Sequence, residues 1–277
     1  MTDLKDLGIK YSELEQFIRA KGENGVVIAF SGGVDSSTLA AVCYKVLGDK
    51  AIAVTAKSAT YTPEELETAN ATAKEIGIRH LVVETNELFN ENYCQNPENR
   101  CYYCKHELLE QLKKTAKTLG FGAVFEGTNF SDLTDHRPGY TAVKEMENVF
   151  SPWAETGFTK TEIRDLAKKL GLSAHDRLPQ PCLATRIPYH ERITAEKLTR
   201  VSKAEKFIRD LTGVKQLRVR YHNGLARIEV GKEERQVFFS VEAIDKIASA
   251  LRKLGFKYVT LDLEGYQSGS MLKQLEK

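Results

Sequence analysis

The sequence predicts a doubly wound α/β fold, a parallel sheet covered by helices on both faces, followed by a small C-terminal α+β domain. Short continuous apolar runs rich in β-branched residues recur at 25–30, 51–56, 80–84 and 123–127. Strands buried on both faces of a parallel sheet read this way. Helical patterns separate these runs, and that alternation implies βαβ units. After the proline-rich stretch 176–188 the pattern changes to helix, hairpin, helix, strand. The expected domains are 1–186 and 187–277.

Residues 11–22 read as an amphipathic helix. Gly25-Val26-Val27-Ile28-Ala29-Phe30 is the first strand, and Ser31-Gly32-Gly33-Val34-Asp35-Ser36-Ser37 leads into a helix that stops at Gly48. Residues 51–56 form the second strand. Thr62-Pro63 opens the next helix with an N-cap and a proline in the first turn, and Gly77 ends it. Residues 80–84 are the third strand. A polar segment, 91–100, precedes a helix over 105–119. The fourth strand is 123–127, followed by Val149-Phe150-Ser151-Pro152 and a helix over 160–170. The C-terminal part reads as helix 195–211, strands 214–221 and 225–230 around Asn223-Gly224, helix 241–254 and strand 256–263. Asn-Gly between alternating runs is a strong hairpin signal.

Among 277 residues, 42% are apolar and 28% charged, as in a chain with a packed core, and the net charge of +2 offers no charge-driven reason to bind nucleic acid. The polar N-terminus lacks the apolar run of a signal peptide, and no apolar stretch approaches the ~20 residues that span a bilayer. These features predict a cytoplasmic, soluble protein without a membrane or nucleic-acid partner. The five cysteines, Cys43, Cys94, Cys101, Cys104 and Cys182, are then not expected to form a disulfide framework.

Strand, glycine-rich loop, helix is a phosphate cradle. Glycines let backbone N–H groups approach an anion, and the helix N-terminus adds favourable partial charge. Ser31, Ser36 and Ser37 add hydroxyls. The loop lacks the lysine of a Walker sequence, which excludes a kinase-type phosphate loop. Asp35 organises a metal ion or the loop, or else caps the following helix. In such sheets ligands bind outside the carboxyl ends of the strands, where Lys57, Gly127, Asp132 and Arg137 also fall. For Lys57 the alternative is a solvated lysine, and for Asp132 and Arg137 a role in shaping the loop. Trp153, His80 and His222 read as structural.

Cys101-Tyr102-Tyr103-Cys104 is a CxxC pair flanked by Arg100 and Lys105, which favour thiolates. Cys182 stands far along the chain between prolines. Three convergent thiolates suit a [4Fe–4S] cluster with one open iron, or a zinc site completed by His106 or His175. A redox pair and plain cysteines are the alternatives. Cys43 and Cys94 read as plain.

Residues Ser31 to Ser37 resemble the signature of the PP-loop ATP pyrophosphatases, the adenine nucleotide alpha hydrolase-like fold. Further motifs narrow the resemblance: Gly127-Thr128-Asn129-Phe130-Ser131-Asp132, Asp135-His136-Arg137-Pro138-Gly139, Cys182-Leu183-Ala184-Thr185-Arg186-Ile187-Pro188-Tyr189, Arg218-Val219-Arg220-Tyr221-His222-Asn223 and Tyr258-Val259-Thr260-Leu261-Asp262-Leu263. In this order they are similar to the LarE family, from about residue 11 to the C-terminus.

The resemblance implies ATP and Mg²⁺, and a small nucleotide substrate, pyridinium-3,5-biscarboxylic acid mononucleotide. Its carboxylates would be adenylated and converted to thiocarboxylates for the nickel-pincer cofactor. It also implies a homo-oligomer and possible contact with other enzymes of that pathway. Cys101, Cys104 and Cys182 look like the cluster-bearing type within the family. By the same resemblance Ser31, Gly32, Gly33, Val34, Asp35, Ser36 and Ser37 hold ATP, and Cys182 lies in the sulfur-donating loop. Thr185 and Arg186 follow it, Arg186 aimed at phosphate or carboxylate. Arg218 and Arg220 hold the substrate phosphate, where a solvated strand face is the alternative, and Glu205 binds metal, where a solvated helix glutamate is. Relatives carry an arginine where this chain reads Gly265-Tyr266-Gln267-Ser268-Gly269-Ser270, and a second metal-associated aspartate has no clear counterpart near Val237.

Two other reaction classes fit the phosphate loop. A tRNA thiolase needs an RNA-binding surface and salt-sensitive RNA affinity. An amide-forming ligase needs ammonia and leaves the cysteines without a role. A nucleotide sensor without catalysis would release no pyrophosphate on addition of an acceptor.

Overall fold

The computed structural model describes residues 4–134, 138–178 and 181–275. The chain divides into two compact units, Met1–Glu87 with Asn99–Gln180, and Leu88–Glu98 with Pro181–Lys277.

The first unit holds strands β1 (Val26–Ala29), β2 (Ala51–Lys57), β3 (His80–Glu84), β4 (Ala123–Phe125) and β5 (Val149–Phe150). They form an all-parallel sheet in the order β3-β2-β1-β4-β5. The doubly wound parallel sheet expected from the sequence is present. Helices α1 (Leu4–Lys21), α2 (Val34–Leu47), α3 (Pro63–Ile76), α5 (Arg100–Leu119), α6 (Pro138–Glu145), α7 (Pro152–Glu155) and α8 (Lys160–Lys169) belong to the same unit. Leu14 and Ile18 of α1, Leu39 of α2, Ala69 of α3 and Ile163 of α8 pack with Val26 and Ile28. Val27 points the other way, to Leu109 and Leu112 of α5 and Val143 of α6. Alternate residues of β1 thus serve opposite cores, so its run has no polar position.

Local signals set the ends of these helices. Thr62 and Glu65 form a reciprocal capping box at the start of α3, with Pro63 in its first turn. Thr159 and Glu162 do the same for α8. One end differs from the sequence pattern. Helix α5 starts at Arg100 instead of Lys105, so both cysteines of the CxxC pair sit in its opening turns.

The second unit contains α4 (Glu91–Cys94), α9 (Ala195–Thr212), β6 (Leu217–His222), β7 (Leu225–Val230), α10 (Val241–Lys253) and β8 (Tyr258–Leu261). The hairpin β6–β7 turns at Asn223 and Gly224, both at positive φ (44° and 90°), as a two-residue turn of the mirror type requires. β8 joins β7 in parallel, so the small sheet is mixed. Leu198, Val201 and Ile208 of α9 and Ile247 and Leu251 of α10 are buried, as are Leu217, Val219 and Ile228 of the sheet.

The inclusion of Leu88–Glu98 in this unit has no signal in the sequence. Asn96 explains it: wholly buried, its side-chain amide donates to the carbonyls of Pro188 (2.6 Å) and Glu191 (3.2 Å). Its own carbonyl accepts from His190 N–H at 2.9 Å. Among the described residues no helix is long and apolar enough to cross a membrane.

Candidate functional site

The winding of the first sheet reverses between β1 and β4, because β1 leads outward to β2 and β3 while the chain returns to β4 on the other side. Ligands in open α/β sheets bind at such a switch point, beyond the carboxyl ends of the strands. Here a cavity of about 350 Å³ opens there, lined from the β1 end by Ser31, Gly33, Asp35 and Ser36 and from the β4 end by Glu126, Gly127 and Thr128. Its size falls in the usual range for small-molecule sites.

The loop is a self-bonded arch. Ser36 Oγ accepts from Ser31 N–H (3.2 Å), lies 3.1 Å from Ser31 Oγ and donates to Gly33 O (3.2 Å). Gly32 takes φ +73°, and a Cβ there would stand 2.9 Å from Cα of Ala69 on α3; only glycine fits. A Cβ on Gly127 would press on Ser36 N at 3.3 Å, so the β4 end lies flush against the loop. Ser37 is fully buried, and its hydroxyl has no hydrogen-bond partner. A phosphate-binding loop accommodates such a spare donor.

Asp35 does not cap α2; Gly33 holds the N-cap position without a side-chain bond. The Asp35 carboxylate instead pairs with Lys160 Nζ at the start of α8 and accepts from Asn129 Nδ2 at 3.3 Å. Trp153, buried against Phe158, donates its indole N–H to Asp35 O at 3.0 Å. Arg177 donates to Gly32 O and to Thr72 Oγ1, bracing the loop from behind. Tyr61 O–H donates to Ser31 O at 3.0 Å.

The cavity wall beside the loop carries Cys104 and Lys105. Lys105 donates to the buried Glu126 at 2.7 Å. Glu126 also accepts from Thr128 N–H and Oγ1 and from Ser151 Oγ. Burial works to raise the Glu126 carboxyl, but the Lys105 charge and these hydrogen bonds outweigh it and hold the group below the ordinary carboxylate range. On the far wall Thr60 donates to the buried carboxylate of Glu87 at 2.9 Å.

None of the five cysteines is in a disulfide. Cys101 is exposed and Cys104 half-buried in the opening turns of α5. Lys105 directs its charge to Glu126 rather than to the sulfurs. Cys182 is exposed and belongs to the second unit. Accessible thiols at all three positions suit soft metal ions, yet among the described residues no three His, Cys, Asp or Glu side chains gather as a metal site. Cys43 is buried in α2, and desolvation pushes its thiol far up.

The second unit has a charged interior. Arg186, Arg218, Arg220, Glu205 and Glu229 are all buried. Arg186 donates Nε (2.8 Å) and Nη2 (3.1 Å) to Glu205, and Nη1 to the carbonyls of Pro181 (2.7 Å) and Cys182 (3.2 Å). It fastens the Cys182 loop to α9. Thr185 adds Oγ1 to Cys182 O at 2.8 Å. Arg220 bonds Glu229 twice, Thr185 O once, and Ser270 Oγ at 3.2 Å. Arg218 lies 5.3 Å from the Tyr266 ring centroid. Burial, with the Arg186 charge added, lowers its guanidinium to about 10.

Several expectations change. Arg186 is buried, and its guanidinium bonds Glu205 and the carbonyls of Pro181 and Cys182. Glu205 is not a solvated helix glutamate: it is buried, and Arg186, Arg209 and Val219 N–H donate to its oxygens. Arg218 and Arg220 do share a face of β6, but a buried one. Lys57 is exposed and does not line the cavity; Ser58, Thr60 and Tyr61 beyond it do. Asp132 lines the cavity and exchanges hydrogen bonds with Asn129. Arg137 lies outside the described residues. Sequence reasoning missed Lys160, Arg177, Glu126 and Glu87. Lys160 reads as an ordinary first-turn helix lysine, and Glu126 gives its only hint by following an apolar run.

The family described as NAD synthase matches residues 9–100. An uncharacterised protein of Synechocystis sp. is 48% identical over 96% of this chain and 99% of its own length. The pyridinium-3,5-bisthiocarboxylic acid mononucleotide synthase of Lactiplantibacillus plantarum is 36% identical over 91% of this chain and 90% of its own. An uncharacterised protein of Methanocaldococcus jannaschii is 30% identical over 94% and 98%. The phosphate loop beyond β1, the cavity it lines and end-to-end similarity to the L. plantarum enzyme place this chain in the LarE family of PP-loop, ATP-dependent sulfurtransferases.

Proposed function

We propose that this chain activates the carboxylates of pyridinium-3,5-biscarboxylic acid mononucleotide with ATP and converts them to thiocarboxylates. The observation that carries the reading is Cys104, which lines the same cavity as the phosphate loop. A sulfur ligand or donor therefore stands in the wall of the nucleotide site. The L. plantarum relative is named for the bisthiocarboxylic product.

In the first step a substrate carboxylate oxygen attacks the α-phosphorus, and the bond to the bridging oxygen of the β-phosphate breaks. Pyrophosphate leaves with the electron pair, and an acyl-adenylate remains. The Ser31–Ser37 loop binds the phosphates through N–H groups and hydroxyls, with Mg²⁺ offsetting their charge. In the second step a sulfur nucleophile adds to the acyl carbon and AMP departs. Gly127 and Thr128 close the opposite wall, and Arg218 and Arg220 are the arginines assigned to the substrate phosphate. A [4Fe–4S] cluster held by Cys101, Cys104 and Cys182 would supply sulfide to that second step. In the alternative without a cluster, Cys182 gives up its own sulfur. A homo-oligomer, a cytoplasmic location and hand-over to other enzymes of nickel-pincer assembly belong to the same proposal.

Anaerobic purification followed by iron and sulfide analysis tests the cluster, with about four irons per chain expected and their loss in Cys101→Ala. Intact mass after one turnover with ATP and substrate tests the alternative, through loss of H₂S at Cys182. Neither iron nor mass change, together with no thiocarboxylate formed, would overturn sulfur transfer.

A further inference from the structure

The first sheet ends at β3, which among the described residues pairs with β2 alone. Its five residues read His80-Leu81-Val82-Val83-Glu84. Edge strands are commonly blunted by lysine, proline, a bulge or extreme shortness, because an open edge invites another strand. β3 has no lysine or proline and keeps an unbroken register with β2. Its Val82 side chain is 43% exposed. β5, at the opposite edge, is only two residues long.

The hydrogen bonds fix which backbone groups are open. Ala53 N–H donates to Arg79 O at 2.9 Å, and Thr85 N–H donates to Lys57 O at 3.1 Å. Residues 79, 81, 83 and 85 therefore turn their backbone groups to β2, and His80, Val82 and Glu84 turn theirs to the open edge. A second copy laid antiparallel about a two-fold axis through Val82 satisfies each of these. Val82 meets the partner's Val82, and His80 meets the partner's Glu84, each pair exchanging N–H and C=O. A register shifted towards the end of the strand sets Glu84 against itself, and like charges directly opposite destabilise. The side chains fit the same register. Valine meets valine on one face, and on the other the half-buried Leu81 and Val83 of the two copies come together. The His80 ring is already held, 2.7 Å from Thr55 Oγ1 and 2.9 Å from Asn70 Oδ1.

We propose that the β3 edge is where two copies of this chain associate, joining their parallel sheets into one continuous sheet through an antiparallel β3–β3 contact. The contact is isologous, the same patch used on both sides. Because the paired strands run in opposite directions, the phosphate loops of the two copies open towards opposite ends of the joined sheet. The contact gives the homo-oligomer proposed above a defined surface, and it rests on strand pairing and not on the reaction. One strand edge buries little area, which puts the affinity in about the micromolar range.

The test is sedimentation of the full chain across the micromolar range, for the unaltered protein, Val82→Lys and Val82→Glu. Each variant alone sets like charges across the axis and should sediment at half the mass of the unaltered chain. Mixed in equal amounts, lysine faces glutamate and the full mass should return. Circular dichroism checks that both variants are folded. Where one is not, amide hydrogen exchange of the unaltered chain decides: the amides of His80, Val82 and Glu84 should exchange at least about ten-fold more slowly in concentrated than in dilute protein. No change of that protection with concentration contradicts the contact, as does a mixture of the variants that stays at half mass. An assembly that keeps its mass in both variants places the association on another face and overturns this contact alone. An unaltered chain that sediments as a monomer throughout removes the homo-oligomer as well, and leaves the reaction untouched.

Discussion

The phosphate loop of the first unit and the arginine-rich interior of the second treat charge in opposite ways. The loop displays partial charges, N–H groups and hydroxyls, towards a cavity, and its one acid is neutralised by a lysine from another helix. The second unit buries whole charges and satisfies most of them internally, Arg186 on Glu205 and Arg220 on Glu229. A displayed site is ready to bind and contributes little to stability. A buried ionic network stabilises only while every partner is present. Substitutions in the first region should therefore cost function, and substitutions in the second should cost the fold.

The largest expected effect is on product. Cys104→Ala should lower thiocarboxylate formation by at least about a hundred-fold while leaving the unfolding free energy within about 1 kcal/mol of the unaltered chain, because a half-buried small side chain adds little core. Mass spectrometry of the product and urea unfolding check the two halves. A large loss of stability in Cys104→Ala would erase the contrast.

Next in size is the interior of the second unit. Glu205→Gln strands the Arg186 charge and should destabilise by about 3–5 kcal/mol. Replacing both with apolar residues, Arg186→Met with Glu205→Leu, should recover much of that loss in denaturant unfolding. An additive double variant would show that the pair is not coupled.

Smaller is Gly32→Ala, which must place a Cβ on a backbone at φ +73° beside Ala69. A cost of about 1–2 kcal/mol is expected, along with weakened ATP binding measured by calorimetry.

Acid should expose the buried glutamates. Glu126 and Glu205 both titrate below the ordinary glutamate value of 4.5 in the folded chain, burial being outweighed by Lys105 in one case and Arg186 in the other. Each folded pKa is depressed, so the stabilisation is present above 4.5 and is lost as pH falls from there through the folded values. Urea midpoints should fall steeply below that value, and Glu126→Gln should flatten part of the slope.

The smallest effect belongs to Arg192 and Glu91, a bidentate pair more than half exposed on both sides. Arg192→Ala should leave the midpoint unchanged at physiological salt, since solvent screens such pairs.

Much was legible along the chain because it depends on local chemistry. The apolar runs of β1 and β2 marked strands buried on both faces, Thr62-Pro63 and Asn223-Gly224 marked a helix start and a hairpin, and the glycines of residues 31–37 marked an anion cradle before any contact was known. The burial and pairing of Arg186 and Glu205 were hidden for the same reason in reverse. A charged residue carries no local sign of being buried, and these two meet across 19 positions.

The sequence by itself determined the order of elements, the double winding and the phosphate loop, because hydrophobic period, capping residues and glycine conformation act over a few residues at a time. Only the tertiary structure decided which charges meet. Lys160 reaches Asp35 across 125 positions, Cys104 comes into the wall of the nucleotide cavity, and Asn96 ties a stretch from the middle of the first unit's sequence into the second. Such pairings depend on where whole strands and helices come to rest, and no local pattern in the chain encodes them.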